Sequence, residues 1–146
     1  MPVTLYANKH LLCARWQKIT LEDLDALLTR AQSIERAEGR KLIYAGLQYE
    51  DTPLPDRELT RVLIERAKIL AKSCDRFYLV LAARGVTATL HRTAIRSMLT
   101  VARIAGANVE RVSLVDSLDA MLADAERDLP APRAEIRAGL AALGIT

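Results

Sequence analysis

The side chains that could do chemistry in this sequence are few and scattered. There are two histidines, His10 and His91, and two cysteines, Cys13 and Cys74. A metal site needs several such donors at short, regular spacings, and neither pair supplies them. The reading is of no metal and no cofactor, with the histidines as surface or structural residues and the cysteines as buried free thiols. Ser113 lacks the Gly-x-Ser-x-Gly frame that exposes a hydrolase nucleophile. Neither a Gly-x-Gly-x-x-Gly run nor a phosphate loop occurs, and the six glycines fall where helices stop and the chain turns. Carboxylates do pair, at Glu22/Asp23, Glu50/Asp51 and Asp116/Asp119, but always at helix starts or in loops. Capping and the helix dipole account for them there without acid–base work. The expectation is a protein that binds and is not an enzyme.

Three groups of residues could do that binding. Arg92, Arg96 and Arg103 recur at i, i+4 and i+11 of a helical stretch, with Thr89, Thr93 and Thr100 beside them. Such a stripe suits an anionic group or an acidic protein, with Asp119, Asp124 and Glu126 expected to neutralise part of it. Ile64, Ala67 and Ala71 widen the apolar arc of another helix beyond one stripe, so either a C-terminal arm or a partner should cover them. The loop Glu50-Asp51-Thr52-Pro53-Leu54-Pro55 should leave the carboxyl end of a parallel strand, where α/β sheets place their contacts. Thr52 is a candidate phosphorylation site there. The expected partner surface is thus Asp51, Thr52, Asp56, Ile64, Ala71, Arg92, Arg96 and Arg103, facing another protein or a second copy in a homodimer.

The elements that must position these residues are readable from periodicity. Phe77 to Ala83 is apolar on both alternating faces except for the Tyr78 hydroxyl, as a strand covered on both sides should be. The following helix is expected to bury Leu90, Ala94, Met98, Val101, Ala102 and Ala105, and to stop at Gly106. Val3–Ala7 and His10–Gln17 read as a hairpin turning at Asn8-Lys9. Thr20 caps a helix ending at Gly39. Lys41–Tyr49 is a second interior strand, with Ile43, Ala45, Leu47 and Tyr49 on one face and Leu42, Tyr44, Gly46 and Gln48 on the other. A helix capped by Asp56 reaches about Ser73. A fifth strand spans Asn108–Leu114, a helix capped by Asp116 or Ser117 runs from Asp116 to about Asp128, and a short one spans Arg133–Leu143.

Alternation of this kind needs crossover connections. It predicts an α/β fold with a sheet of about five strands, mostly parallel after an antiparallel N-terminal hairpin, with about four helices plus a short C-terminal one. Residues 1–129 form that domain in this reading, and 130–146 a C-terminal helical arm. With 146 residues, 51% of them hydrophobic and 27% charged, the composition is that of a globular domain. A net charge of +3 and 4% aromatics are too modest for a nucleic-acid binder. No apolar run approaches the roughly 20 residues of a membrane span, and the first ten residues contain no apolar signal core. A cytoplasmic protein is expected.

The element order and the stretch Val109-Glu110-Arg111-Val112-Ser113-Leu114-Val115-Asp116-Ser117-Leu118-Asp119-Ala120-Met121-Leu122 resemble a STAS domain, the fold of anti-sigma factor antagonists and of sulfate transporter tails. The resemblance spans about residues 3 to 127. It implies a non-catalytic regulatory or scaffolding module acting by protein–protein interaction, sometimes switched by phosphorylation. A small-molecule or lipid carrier of the same fold is the alternative. Phospho-regulated members carry Asp-x-Ser/Thr-Gly after the third strand. Here the place reads Glu50-Asp51-Thr52-Pro53, which keeps the acid and the hydroxyl and loses the glycine.

Overall fold

The computed structural model describes residues 3–104, 106 and 111–146. Five strands form one sheet: β1 (Val3–Asn8), β2 (Leu11–Trp16), β3 (Leu42–Gln48), β4 (Cys74–Leu81) and β5 (Val112–Val115). Their order across the sheet is their order along the chain, with β1 antiparallel to β2 and every later pair parallel. Helices α1 (Leu21–Glu38), α2 (Arg57–Ala71) and α3 (Gly85–Ile104) make the three crossovers. Two more, α4 (Leu118–Ala125) and α5 (Arg133–Ala142), follow β5. The α/β class and the alternation expected from the sequence are those observed.

Strict sequential order has a topological consequence. Crossovers are right-handed almost without exception, so strands that always advance in one direction receive all their crossover helices on one face. Leu24, Leu27, Ala31 and Ile34 of α1 and Leu70 of α2 pack there against Leu12, Ala14, Trp16, Leu42, Tyr44 and Phe77 of the sheet. On α3, Ala102 covers Ile64 of α2, with Met98 and Leu99 alongside. The other face would be bare without the C-terminal segment. There α4 and α5 bury Met121, Leu122, Ile136 and Leu140 against Leu11, Ile43, Leu47, Tyr78 and Val80. Residues 130–146 therefore share the core of the sheet: Ile145 is buried, and the Tyr49 hydroxyl donates to the Thr146 carbonyl at 3.0 Å.

Capping follows the sequence closely. Thr20, Asp56 and Ser117 accept the N–H groups of Asp23, Leu59 and Ala120, and Gly39 closes α1 in the left-handed conformation. Other expectations are corrected. Asn8 pairs with Leu11, so the hairpin turns at Lys9-His10, and Lys9 takes the positive φ of 51°. The Asn8 amide instead donates to the Tyr6 hydroxyl at 3.2 Å. The phase of α3 also differs in part: Ala102 is buried as expected, but His91 and Ile95 are buried with it, whereas Leu90 and Val101 are each 53% exposed. Both faces of α3 carry apolar residues, and periodicity alone could not choose between them. The sequence-based stripe also included Ala105, and the fifth strand was expected from Asn108; these two residues lie outside the described set.

Candidate functional site

With no reversal in strand order, the sheet has no switch point, the place where open α/β sheets usually hold ligands at their carboxyl edge. The volume available to a ligand is elsewhere. Between the crossover helices and the sheet lies a cavity of about 540 Å³. Its floor is the inward row of β3 and β4, including Tyr44, Gly46, Phe77 and Leu79. Its sides are Leu63, Ile64 and Ala67 of α2 and Ile95, Met98 and Leu99 of α3.

Local chemistry explains why the space stays open. Gly46 occupies an inward position where strand alternation would otherwise place a side chain. A Cβ there would sit 3.0 Å from the Tyr44 hydroxyl and 3.5 Å from Leu79 Cδ2, so the glycine makes room for the Tyr44 side chain to lie across the floor. Small residues (Ala67, Ala71, Ala102) line much of the facing helical surface. Polar atoms are few. The Trp16 indole N–H donates to the Tyr44 hydroxyl across a long 3.5 Å, and burial pushes the Tyr44 hydroxyl's pKa well up. It is a neutral donor or acceptor at any ordinary pH. Gln48 and Pro55 lie toward the carboxyl end of the cavity, and Lys41, Lys72 and Arg111 toward its amino end.

The residues singled out from sequence divide among several places. Ile64 and Ala71, grouped with the partner surface from sequence, both line the cavity, and Ile64 is covered by α3 where the C-terminal arm had been the alternative. Thr52 is buried at 3% exposure. Its hydroxyl donates to the Trp16 carbonyl at 2.5 Å and accepts the Tyr49 N–H at 3.1 Å. A kinase would reach that oxygen only after the loop came away from β2. Asp51 is held by Arg15 in a two-pronged contact at 2.8 and 3.2 Å. The Arg15 guanidinium lowers its carboxyl pKa and also lies 4.4 Å above the Tyr49 ring. Asp56 caps α2.

The arginines stay at the surface but are not answered as expected. Arg92 approaches Asp116 at 3.9 Å, and with Arg96 borders a shallow depression at the carboxyl ends of β4 and β5. Asp119 pairs with Arg137, Asp124 with Arg76 and Glu126 with Arg133, which takes all three acids away from α3. No ion pair to Arg96 or Arg103 occurs among the described residues. His91 is buried, its Nε2 donating to the Thr52 carbonyl at 2.9 Å while Nδ1 has no partner. His10 Nε2 likewise donates to the Asp128 carbonyl at 2.6 Å.

Among the described residues no cluster of His, Cys, Asp and Glu could hold a metal ion, and no helix is long and apolar enough to cross a membrane. Both cysteines are buried free thiols, and desolvation pushes each up to about 12. Comparison with known proteins matched no family model, no curated protein and no solved structure. Sequence reasoning missed the cavity and the Arg15–Asp51 clip.

Proposed function

We propose that this chain is a non-catalytic carrier or sensor domain that holds a small, largely apolar molecule between its sheet and its crossover helices. The cavity carries the reading. Its volume of about 540 Å³ falls in the range of roughly 300–1,000 Å³ typical of ligand sites, and its walls are mainly apolar with a few polar groups. The element order supports a STAS-like module as the scaffold. The buried free thiols suit a reducing, cytoplasmic setting.

Native mass spectrometry of the purified protein should find a co-purifying small molecule, or an apolar dye should brighten on binding once the protein is stripped. Ala67→Trp fills the cavity from α2 and should abolish dye binding while leaving a cooperative thermal transition. Dye binding that survives in the folded Ala67→Trp protein, or is absent from the stripped wild type, defeats the reading.

A second reading, interaction with another protein or a second copy, rests on the outer face of α3. Val86, Leu90, Val101 and Ile104 share that face and are 53–83% exposed. Leu90→Glu/Val101→Glu should shift sedimentation toward the monomer or weaken capture of the partner. An unchanged sedimentation profile together with unchanged capture removes this surface.

A further inference from the structure

The charges around the cavity are one-sided. Five of its lining residues are cationic, Lys41, Arg66, Lys68, Lys72 and Arg111, and none is acidic. Two are already answered on the helical side, Arg66 by Asp25 at 2.9 Å and Lys68 by Glu65 at 3.3 Å. The other three belong together by topology. Lys41 directly precedes β3, Lys72 lies just before β4, and Arg111 directly precedes β5. In a parallel sheet, three successive helix-to-strand connections reach the same amino-terminal edge, so these exposed cations gather at one end of the cavity.

Helix-dipole compensation covers only part of this. Lys72 caps the C-terminus of α2, where a cation answers the helix dipole. Lys41 and Arg111 stand before strands, whose net dipoles are small, and that account does not reach them. The opposite end carries no charged lining residue, only groups such as Trp16, Gln48 and Pro55. The floor between the two ends is the length of β3, seven residues or roughly 20 Å at about 3.3 Å per residue. A long apolar trough with a cationic end and a neutral end matches a molecule with a tail and one anionic head.

We propose that the cavity takes a single-chain anionic amphiphile, with its tail along β3 and its carboxylate or phosphate head at Lys41, Lys72 and Arg111. This rests on the ligand-binding reading above and adds the ligand's class and direction. Charge-assisted hydrogen bonds from these cations would hold the head at this end, which makes it a source of both affinity and orientation.

Calorimetric titration with dodecanoate, dodecyl phosphate and dodecanol, each below its micellar concentration, tests it. Either or both anions should bind at least about tenfold more tightly than the alcohol, an advantage that shrinks as salt screens the rim. The stronger anion identifies the head as carboxylate or phosphate. Lys41→Gln/Lys72→Gln/Arg111→Gln changes three exposed residues and should fold normally by circular dichroism. It should bring both anions down to the alcohol's affinity, while Arg92→Gln, away from this edge, should change nothing. Equal wild-type affinity for all three compounds overturns the head-group assignment and leaves the apolar-ligand reading standing. So does a triple variant that keeps its preference for anions. Failure of all three compounds to bind folded wild-type protein overturns both.

Discussion

The two faces of the sheet are covered differently. On one, α4 and α5 close over Leu11, Ile43, Leu47 and Tyr78 so fully that Met121, Leu122, Ile136 and Leu140 have no exposed surface. On the other, three longer helices leave about 540 Å³ unfilled above Gly46 and Leu79. Yet both faces draw on the same strands. The inward residues of β3 alternate Ile43, Ala45, Leu47 against Leu42, Tyr44, Gly46, so the difference lies in the helices. The compact face supplies stability and the hollow face has stability to spare for binding, which costs packing contacts that the fold recovers on the far side.

Truncation should split the faces most widely. Leu140→Ala opens a void in a filled region and should cost about 2–5 kcal/mol by chemical denaturation. Leu63→Ala borders space that is already empty and should cost no more than about 1.5 kcal/mol, since the cavity penalty is largely present beforehand. Equal losses would mean that the hollow face is packed in solution.

The two thiols make a smaller but more direct comparison, because one lies in each core: Cys13 with α4 and α5, Cys74 with α1 and α2. Both have pKa values pushed up to about 12 by burial, so labelling near neutral pH must wait for local opening. Cys74 should react at least about tenfold faster than Cys13 in native buffer, read by mass spectrometry of peptides after quenching. Cys13 reacting first would reverse the assignment of the looser side.

The smallest effect belongs to the Arg15–Asp51 clip at the carboxyl edge. Arg15 lowers the Asp51 pKa in the folded state, so the stability it adds is complete above the ordinary carboxylate value of about 4 and disappears as pH falls through the lower folded value. Asp51 is half exposed, so the gain should not exceed about 1 kcal/mol. Denaturation of wild type and Asp51→Asn should differ by that amount at pH 7 and converge in acid. A gap that persisted at low pH would mean that the carboxylate charge is not its source.

How much of this was legible in the sequence depended on distance along the chain. The division of β3 into two faces, the caps at Thr20, Asp56 and Ser117, and the order of elements all rest on neighbours within a few residues, and they appeared as expected. The phase of α3 did so only in part: Ala102 is buried as expected, but Leu90 and Val101 offer as good a stripe as His91 and Ile95 until packing in space selects one. Arg15 and Asp51 lie 36 residues apart and meet only once β2 and β3 are paired. The cavity depends on how far helices stand from a sheet, which no local pattern encodes. For the same reason Ile64 and Ala71, which look outward on a wheel, line the cavity in space.

Because spatial neighbours in the sheet are also neighbours in sequence, a growing chain can add each strand to the one made before it, with little loop closure at any step. The contacts of the C-terminal segment break that pattern. Gly139 of α5 passes so close to Tyr6 of β1 that a methyl group would lie 2.6 Å from its ring. β1 therefore receives part of its cover only after α5 exists. Until both α4 and α5 have been made, the side of the sheet away from the crossover helices waits for its cover, and that interval is when the nascent protein is most exposed to aggregation.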